Sequence, residues 1–199
     1  VWQLGPFTLT DPYRTVVDIA RTSAFRYALG YVDGLAREYG VEREELRAYA
    51  QANCRGLHGI ARAFETFEHM DGRSDNGGES EARAAMILAG VAAPELQVEI
   101  TRPGNAGYYL ADYGWQMPNG SWMLAELHGL GKFEDDAQND PEHTAAKTYR
   151  AALMRDANLR AMGHNVIHFK LSDTYDVKAF GSMTVSYTHL RAHETTLHL

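Results

Sequence analysis

The sequence predicts an α/β protein in which a small helical region precedes a mixed sheet flanked by helices. Apolar residues recur at helical spacing as far as Met70, whereas strand-like segments alternate with helices beyond residue 90. Between the two patterns lies a stretch rich in turn formers, residues 71–78, which is the best domain boundary in the chain. We therefore expect a helical region over residues 1–72 and a layered α/β domain over residues 73–183.

The first region opens with a strand-like segment at residues 6–9 and continues as helices. Thr10 or Asp11 is placed to cap a helix whose first position is Pro12, because short polar side chains cap helices and proline suits the first turn. A second helix stops at Gly40, where a left-handed residue is expected. Its apolar face consists of Phe25, Leu29, Val32 and Leu35. Two further helices fit residues 43–53 and 60–70.

The second region begins with a helix from about Glu79 to Ala89. Three strands are predicted at residues 96–100, 108–116 and 122–129, and the turn Pro118-Asn119-Gly120 predicts that the last two form an antiparallel hairpin. A polar loop leads through Pro141 into a helix ending near Met162. Residues 165–171 complete the pattern as a last strand.

Composition and charge exclude several classes of protein. Cys54 is the only cysteine, so an intrachain disulfide and a cysteine-rich zinc site are excluded. No apolar run approaches the eighteen residues of a membrane helix, which favours a cytoplasmic protein. The net charge of −7 indicates that any contact with DNA is local or comes from another part of the protein.

A pair of carboxylates is expected to face each other across the hairpin. A turn centred on Asn119 pairs residues whose numbers sum to 238, as do Asp112 and Glu126. Two like charges directly opposite each other are destabilising unless a positive group lies between them. Mg²⁺ or Mn²⁺ would satisfy this pair, since magnesium commonly takes one or two protein carboxylates together with substrate phosphate oxygens.

His128 is expected to project beside the same pair, because alternate residues of a strand share a face with Glu126. It could activate a water or stabilise charge on a phosphate. The alternative interpretation is that the carboxylates point into solvent and that His128 is an ordinary surface histidine. Arg83 and Arg155 are expected to be solvated charges or ion-pair partners rather than DNA-binding residues.

The spacing Asp112, thirteen residues, Glu126-x-His128 is similar to the P-D-(D/E)-x-K nuclease pattern, with histidine in the lysine position. The flanking sequence resembles the Vsr-like, restriction-endonuclease-type domains of unknown function that are often attached to AbiEi-type antitoxin regions of abortive-infection systems. The segments that carry the resemblance are GESEAR (78–83), ELQV (95–98), LADY (110–113), AELHG (125–129), KF (132–133) and RDANLRAMGHNV (155–166). Upstream, TLTDPYRTVVDIAR (8–21) resembles the segment that precedes the nuclease-like domain in those proteins, so residues 1–72 are expected to be an AbiEi-like connecting region.

The resemblance implies a restriction-endonuclease-like mixed sheet flanked by helices and a Mg²⁺-dependent DNA endonuclease. It marks Asp112 and Glu126 as metal ligands, Glu79 on the leading helix and Lys132 as the basic residue after the third strand. Two departures put catalytic competence in question: His128 stands where the family usually has aspartate, and Ala152-Leu153 stands where it usually has Glu-Lys.

Each end of the chain has a feature that sets it apart from an intact native sequence. The run Val185 to Thr195 resembles the translation of a sequencing-library transposon adapter, which predicts that residues 184–199 are a non-native tail. A polar tail with three histidines is the alternative. The absence of an initiator methionine before Val1 favours an internal start.

The sequence is compatible with two functions. One is a Mg²⁺-dependent DNA endonuclease or nickase. The other is a non-catalytic DNA-binding regulator or antitoxin of an abortive-infection system, with a degenerate nuclease fold and a cognate toxin as partner.

Overall fold

A computed structural model describes residues 2–105, 107–128 and 141–188, without the side chains of 105, 141–146, 148, 149 and 185–188. The chain is a mixed α/β protein with a two-stranded and a four-stranded sheet among these residues. The α/β class predicted from the sequence is confirmed. None of the described helices combines the length and the apolar composition that crossing a membrane requires.

Among the residues that the structure describes, the first compact unit contains a hairpin and five α-helices. Their bounds are β1 Trp2–Leu4, β2 Phe7–Leu9, α1 Pro12–Thr22, α2 Phe25–Tyr39, α3 Arg43–Asn53, α4 Ile60–Phe67 and α5 Gly77–Leu88. The structure has the predicted start of α1 and the predicted end of α2. Asp11 Oδ1 accepts a hydrogen bond from Arg14 N at 2.8 Å, and Gly40 ends α2 with φ of 64°.

The core of the first unit forms where the apolar faces of α1 to α4 meet. Val17, Val32, Leu46 and Phe67 are fully buried there. The helix α5 packs on α2 and therefore belongs to this unit. The boundary between the compact units thus follows Leu88 rather than the linker at residues 71–78, because α5 has its packing partner before the linker in the chain.

The described part of the second unit contains the four-stranded sheet and two α-helices. Their bounds are β3 Glu95–Thr101, β4 Tyr108–Gln116, β5 Trp122–His128, α6 Pro141–Ala161, β6 Asn165–Lys170 and α7 Val177–Thr188. The strand order is β3-β4-β5-β6, with β5 and β6 parallel and the other neighbours antiparallel. One core cluster includes Val98, Leu124, Leu159 and Val166, which places part of α6 against the sheet.

Two sequence expectations for this unit need correction. The helix α7 was not predicted, and it runs through residue 184, where the non-native tail was expected to begin. Thr184 is buried and its Oγ1 donates to Phe180 O at 2.9 Å, so the expectation that the non-native tail begins outside the fold at this residue is wrong. Residues 189–199 lie outside the described residues.

Candidate functional site

The hairpin of β4 and β5 has the register expected from its turn. Tyr113 pairs with Ala125 and Gln116 pairs with Trp122, so the predicted symmetry about Asn119 is confirmed. Beyond the last of these pairs, Leu127 N donates to Asp112 Oδ2 at 2.8 Å. The Asp112 carboxylate therefore lies against β5, at the backbone of Leu127.

The backbone is irregular at this point of the sheet. The register between β3 and β4 joins Leu96 to Tyr113 and Val98 to Ala111, and it leaves Gln97 opposite Asp112. Gln97 has φ of 52° and is the one non-glycine residue with positive φ in the described part of the chain. A non-glycine residue in this region is strained, and such irregularities in strands are frequent beside active sites.

Glu126 lies on the sheet face that α6 covers. Its Oε1 forms an ion pair with Arg155 Nη2, and the side chains are 14% and 29% exposed, respectively. Burial lowers the pKa of Arg155, and the nearby Asp156 and Asp112 oppose that effect. Asp112 is therefore close enough to Arg155 to affect its pKa. That the Asp112 and Glu126 side chains face the same side of the sheet stays a prediction.

The parallel strand β6 adds a histidine to the cluster. Glu126 pairs in register with His168, whose Nδ1 lies 3.9 Å from Glu126 Oε2. The other ring nitrogen, Nε2, lies 2.7 Å from Asp156 Oδ2. Asp156 thus holds the His168 ring in a fixed orientation beside Glu126.

His128 is exposed at the end of β5 and stacks on His168, with ring centroids 4.7 Å apart and an angle of 10° between the planes. Partial burial and the neighbouring His168 lower the pKa of His128, while Asp156 and Asp112 raise it. A lowered pKa favours the neutral imidazole, which can accept a proton.

Two further predicted site residues are not placed in this cluster. Glu79 lies in the first turn of α5, where its carboxylate accepts hydrogen bonds from Asp75 N and Asn76 Nδ2, both at 2.8 Å. Its own N–H donates to Asn76 Oδ1 at 3.0 Å, so Glu79 takes part in capping that helix. Its contribution to catalysis stays a prediction. Lys132 lies outside the described residues.

The donor chemistry of Asp112 and Glu126 fits a magnesium ion, which prefers oxygen ligands and commonly keeps water and substrate phosphate in its octahedron. Glu126 could bind such an ion only when it is released from Arg155, with which it forms an ion pair. Among the described residues, no group of three or more histidine, cysteine, aspartate or glutamate side chains could hold a metal by itself. A metal at this pair would need oxygen atoms from a ligand and release of Glu126 by Arg155.

Comparisons with known proteins give relatives without a described function. No protein-family model matches the chain, and no solved structure does. Two proteins of Mycobacterium tuberculosis, from different strains, are each 37% identical over 106 residues, which cover 53% of this chain and 38% of the relative. Both are described as uncharacterized. The match thus spans well under half the length of these relatives.

Proposed function

We propose that the second unit acts on DNA as a metal-dependent endonuclease or nickase, with its chemical centre at Asp112 and Glu126. The observation that carries the proposal is the hairpin register, which brings the Asp112 carboxylate against β5. His128 lies two residues after Glu126 on the same strand. Two carboxylates and an imidazole on neighbouring strands are the groups that metal-assisted phosphodiester hydrolysis uses.

Each residue of this cluster would have a separate role in the reaction. The N–H of Leu127 orients the Asp112 carboxylate, and Asp112 and Glu126 would hold Mg²⁺ or Mn²⁺. Such an ion polarises the phosphate as a Lewis acid. His128 is exposed and would accept a proton from the attacking water. The strained backbone at Gln97 supports a functional role for this part of the sheet.

The resemblance to Vsr-like domains supports the same proposal from the sequence. In that interpretation Lys132 is the basic residue that follows the third strand, and Glu79 is the marked carboxylate of the leading helix. Both assignments are part of the proposal.

A non-catalytic DNA-binding regulator, acting as an antitoxin with a cognate toxin, is the second candidate. The specific observation in its favour is the ion pair between Glu126 and Arg155. A carboxylate neutralised by an arginine no longer needs a metal, and the described residues hold no ready three-ligand metal site. In this candidate the nuclease-like cluster has become a structural feature.

Nicking of supercoiled plasmid DNA separates the two candidates. The chain is incubated with the plasmid in Mg²⁺ or in EDTA, as wild type, Glu126→Ala and His128→Ala. We expect Mg²⁺-dependent nicking by the wild type, loss of activity in Glu126→Ala, and a decrease of about 10²-fold or more in His128→Ala, since general acid–base groups contribute on that order.

Glu99→Ala is the matched control, because Glu99 is an exposed carboxylate on β3 of the same sheet. It should nick as the wild type does. Equal nicking by all four proteins would show another site or a contaminant. Absence of nicking by the wild type on several DNA substrates would favour the non-catalytic regulator.

A further inference from the structure

Arg155 is the basic side chain at the centre of the cluster, and its contacts leave donors unused. Its Nη2 pairs with Glu126. Its Nε is buried and has no hydrogen-bond partner among the described residues. A guanidinium carries five N–H donors in a planar fork, and a buried donor without a partner is costly. Arg155 is therefore equipped to bind more anionic oxygen than the ion pair offers.

The two partners of the ion pair differ in the exposure of their side chains. The Arg155 side chain is 29% exposed, whereas the Glu126 side chain is 14% exposed. The Arg155 side chain is therefore the more exposed partner, although its Nε and Nη2 atoms are buried. A phosphodiester presents two oxygen atoms to the guanidinium fork much as a carboxylate does, so either group can bind it in the bidentate manner.

We infer that Arg155 binds a phosphate of the DNA backbone and releases Glu126 when it does so. This inference rests on the proposed function and deepens it. Without DNA, Arg155 neutralises Glu126 beside Asp112. With DNA, the phosphate takes the place of the Glu126 carboxylate at the guanidinium, and Glu126 becomes available next to the bound phosphate.

Arg160 provides a matched control on the same helix. Its side chain is 58% exposed, and its Nη2 lies 3.8 Å from Asp156 Oδ2. A general attraction between DNA and the positive charges of α6 would use Arg160 at least as much as Arg155. A specific exchange at Glu126 would depend on Arg155 alone.

The test is binding of a short fluorescein-labelled DNA duplex, measured by fluorescence anisotropy in EDTA over a range of salt concentrations. EDTA removes the contribution of any metal and separates binding from cleavage. We expect Arg155→Ala to weaken binding about tenfold and to reduce the slope of log K against log salt by about one, as loss of one phosphate contact does. Arg160→Ala should change neither by more than a small part of those amounts.

Glu126→Gln is expected to change DNA affinity in the direction opposite to Arg155→Ala. It removes the carboxylate that competes with the phosphate for Arg155, so we expect tighter DNA binding. General relief of charge repulsion would also tighten binding, and the double variant separates the two causes. If the phosphate replaces Glu126 at Arg155, Glu126→Gln has little effect on DNA affinity in an Arg155→Ala background, because Glu126 and the phosphate no longer compete for the guanidinium.

Arg155→Lys keeps the charge but lacks the planar fork, so it should bind with intermediate affinity, and it replaces Arg155→Ala if that variant does not fold. Two results would overturn this inference and leave the proposed function standing. One is DNA binding by the wild type that does not depend on Arg155. The other is an equal effect of Glu126→Gln on affinity in the wild-type and Arg155→Ala backgrounds. Failure of the wild type to bind DNA would overturn the inference together with the proposed function.

Discussion

Two arginine–carboxylate pairs, one from each unit of this protein, differ in what surrounds them. In the first unit, Arg83 Nη2 donates to both carboxylate oxygens of Asp33, at 2.9 and 2.7 Å, and the side chains are 8% and 0% exposed. In the second unit, Glu126 and Arg155 are more exposed and adjoin further titratable groups. The same kind of ion pair is thus buried in the first unit and partly exposed, among other titratable side chains, in the second.

The surroundings of Asp33 account for its structural role. Besides Arg83, the Asp33 carboxylate accepts a hydrogen bond from Asp71 N at 2.9 Å, so it ties α2 to α5 and to the segment before α5. A buried charge with its partners in place is costly to disrupt. Charges that are partly exposed and crowded with other titratable groups are more typical of binding sites and active sites.

The largest effect is expected from Asp33→Asn. The substitution leaves the Arg83 charge buried without its carboxylate, and removal of one partner of a buried pair costs about 3–5 kcal/mol. The loss is measured as the change in the free energy of unfolding in urea. The control is Arg73→Ala, which removes a largely exposed partner of Asp71 and should cost less than about 1 kcal/mol. Equal losses in the two variants would contradict the structural interpretation of the Asp33–Arg83 pair.

An intermediate effect is expected from acid titration of His164. Trp122 N donates to His164 Nδ1 at 3.1 Å, so this nitrogen accepts a hydrogen bond and must be unprotonated. Burial lowers the pKa of His164, and the folded state therefore binds fewer protons than the unfolded state. The resulting stabilisation is present above the unfolded pKa of about 6.5 and is lost as pH falls through the folded pKa.

Unfolding experiments at neutral and acidic pH measure this effect. His164→Ala should be less stable than the wild type at neutral pH by about 1 kcal/mol, the usual contribution of one hydrogen bond, and this difference should shrink at acidic pH. His58→Ala, which removes an exposed histidine of the first unit, should keep the wild-type pH dependence. A constant difference between His164→Ala and the wild type would show that protonation of His164 does not affect stability.

The smallest effect on stability is expected from Glu126→Gln. Arg155 is partly exposed and can be hydrated when its partner is removed, while the loss of one negative charge beside Asp112 relieves repulsion. These two contributions oppose each other, so we expect a change below about 1 kcal/mol in the free energy of unfolding. A loss as large as that of Asp33→Asn would make Glu126–Arg155 a structural pair and would remove the distinction between the units.

The hairpin of the second unit could be predicted from the sequence because its register depends on local information. The turn at Asn119-Gly120 sets which residues of β4 and β5 face each other, and side-chain alternation then predicts which ones share a face. Helix ends were predictable for the same reason, as the cap at Asp11 and the stop at Gly40 show. Capping and turn chemistry act within a few residues of the chain.

The rest of the cluster depends on packing between distant segments. His168 reaches Glu126 because β6 pairs parallel to β5, with α6 between them in sequence, and no turn sets that register. Arg155 was interpreted from the sequence as a solvated charge or an ion-pair partner, and the structure gives it the second of these roles. The pairing of Asp156 with His168 also had no sequence signal, because twelve residues and a change of element separate them.

The most direct test of a DNA-phosphate site in the second unit is an NMR titration of arginine side chains. The Nε–Hε signals of Arg83 and Arg155 are followed in uniformly labelled protein while a short DNA duplex is added in EDTA. We predict that the Arg155 signal shifts in a saturable manner and that the Arg83 signal, from the buried pair of the first unit, does not move. A shift of Arg83 with Arg155 unchanged would contradict the proposed location of the DNA site.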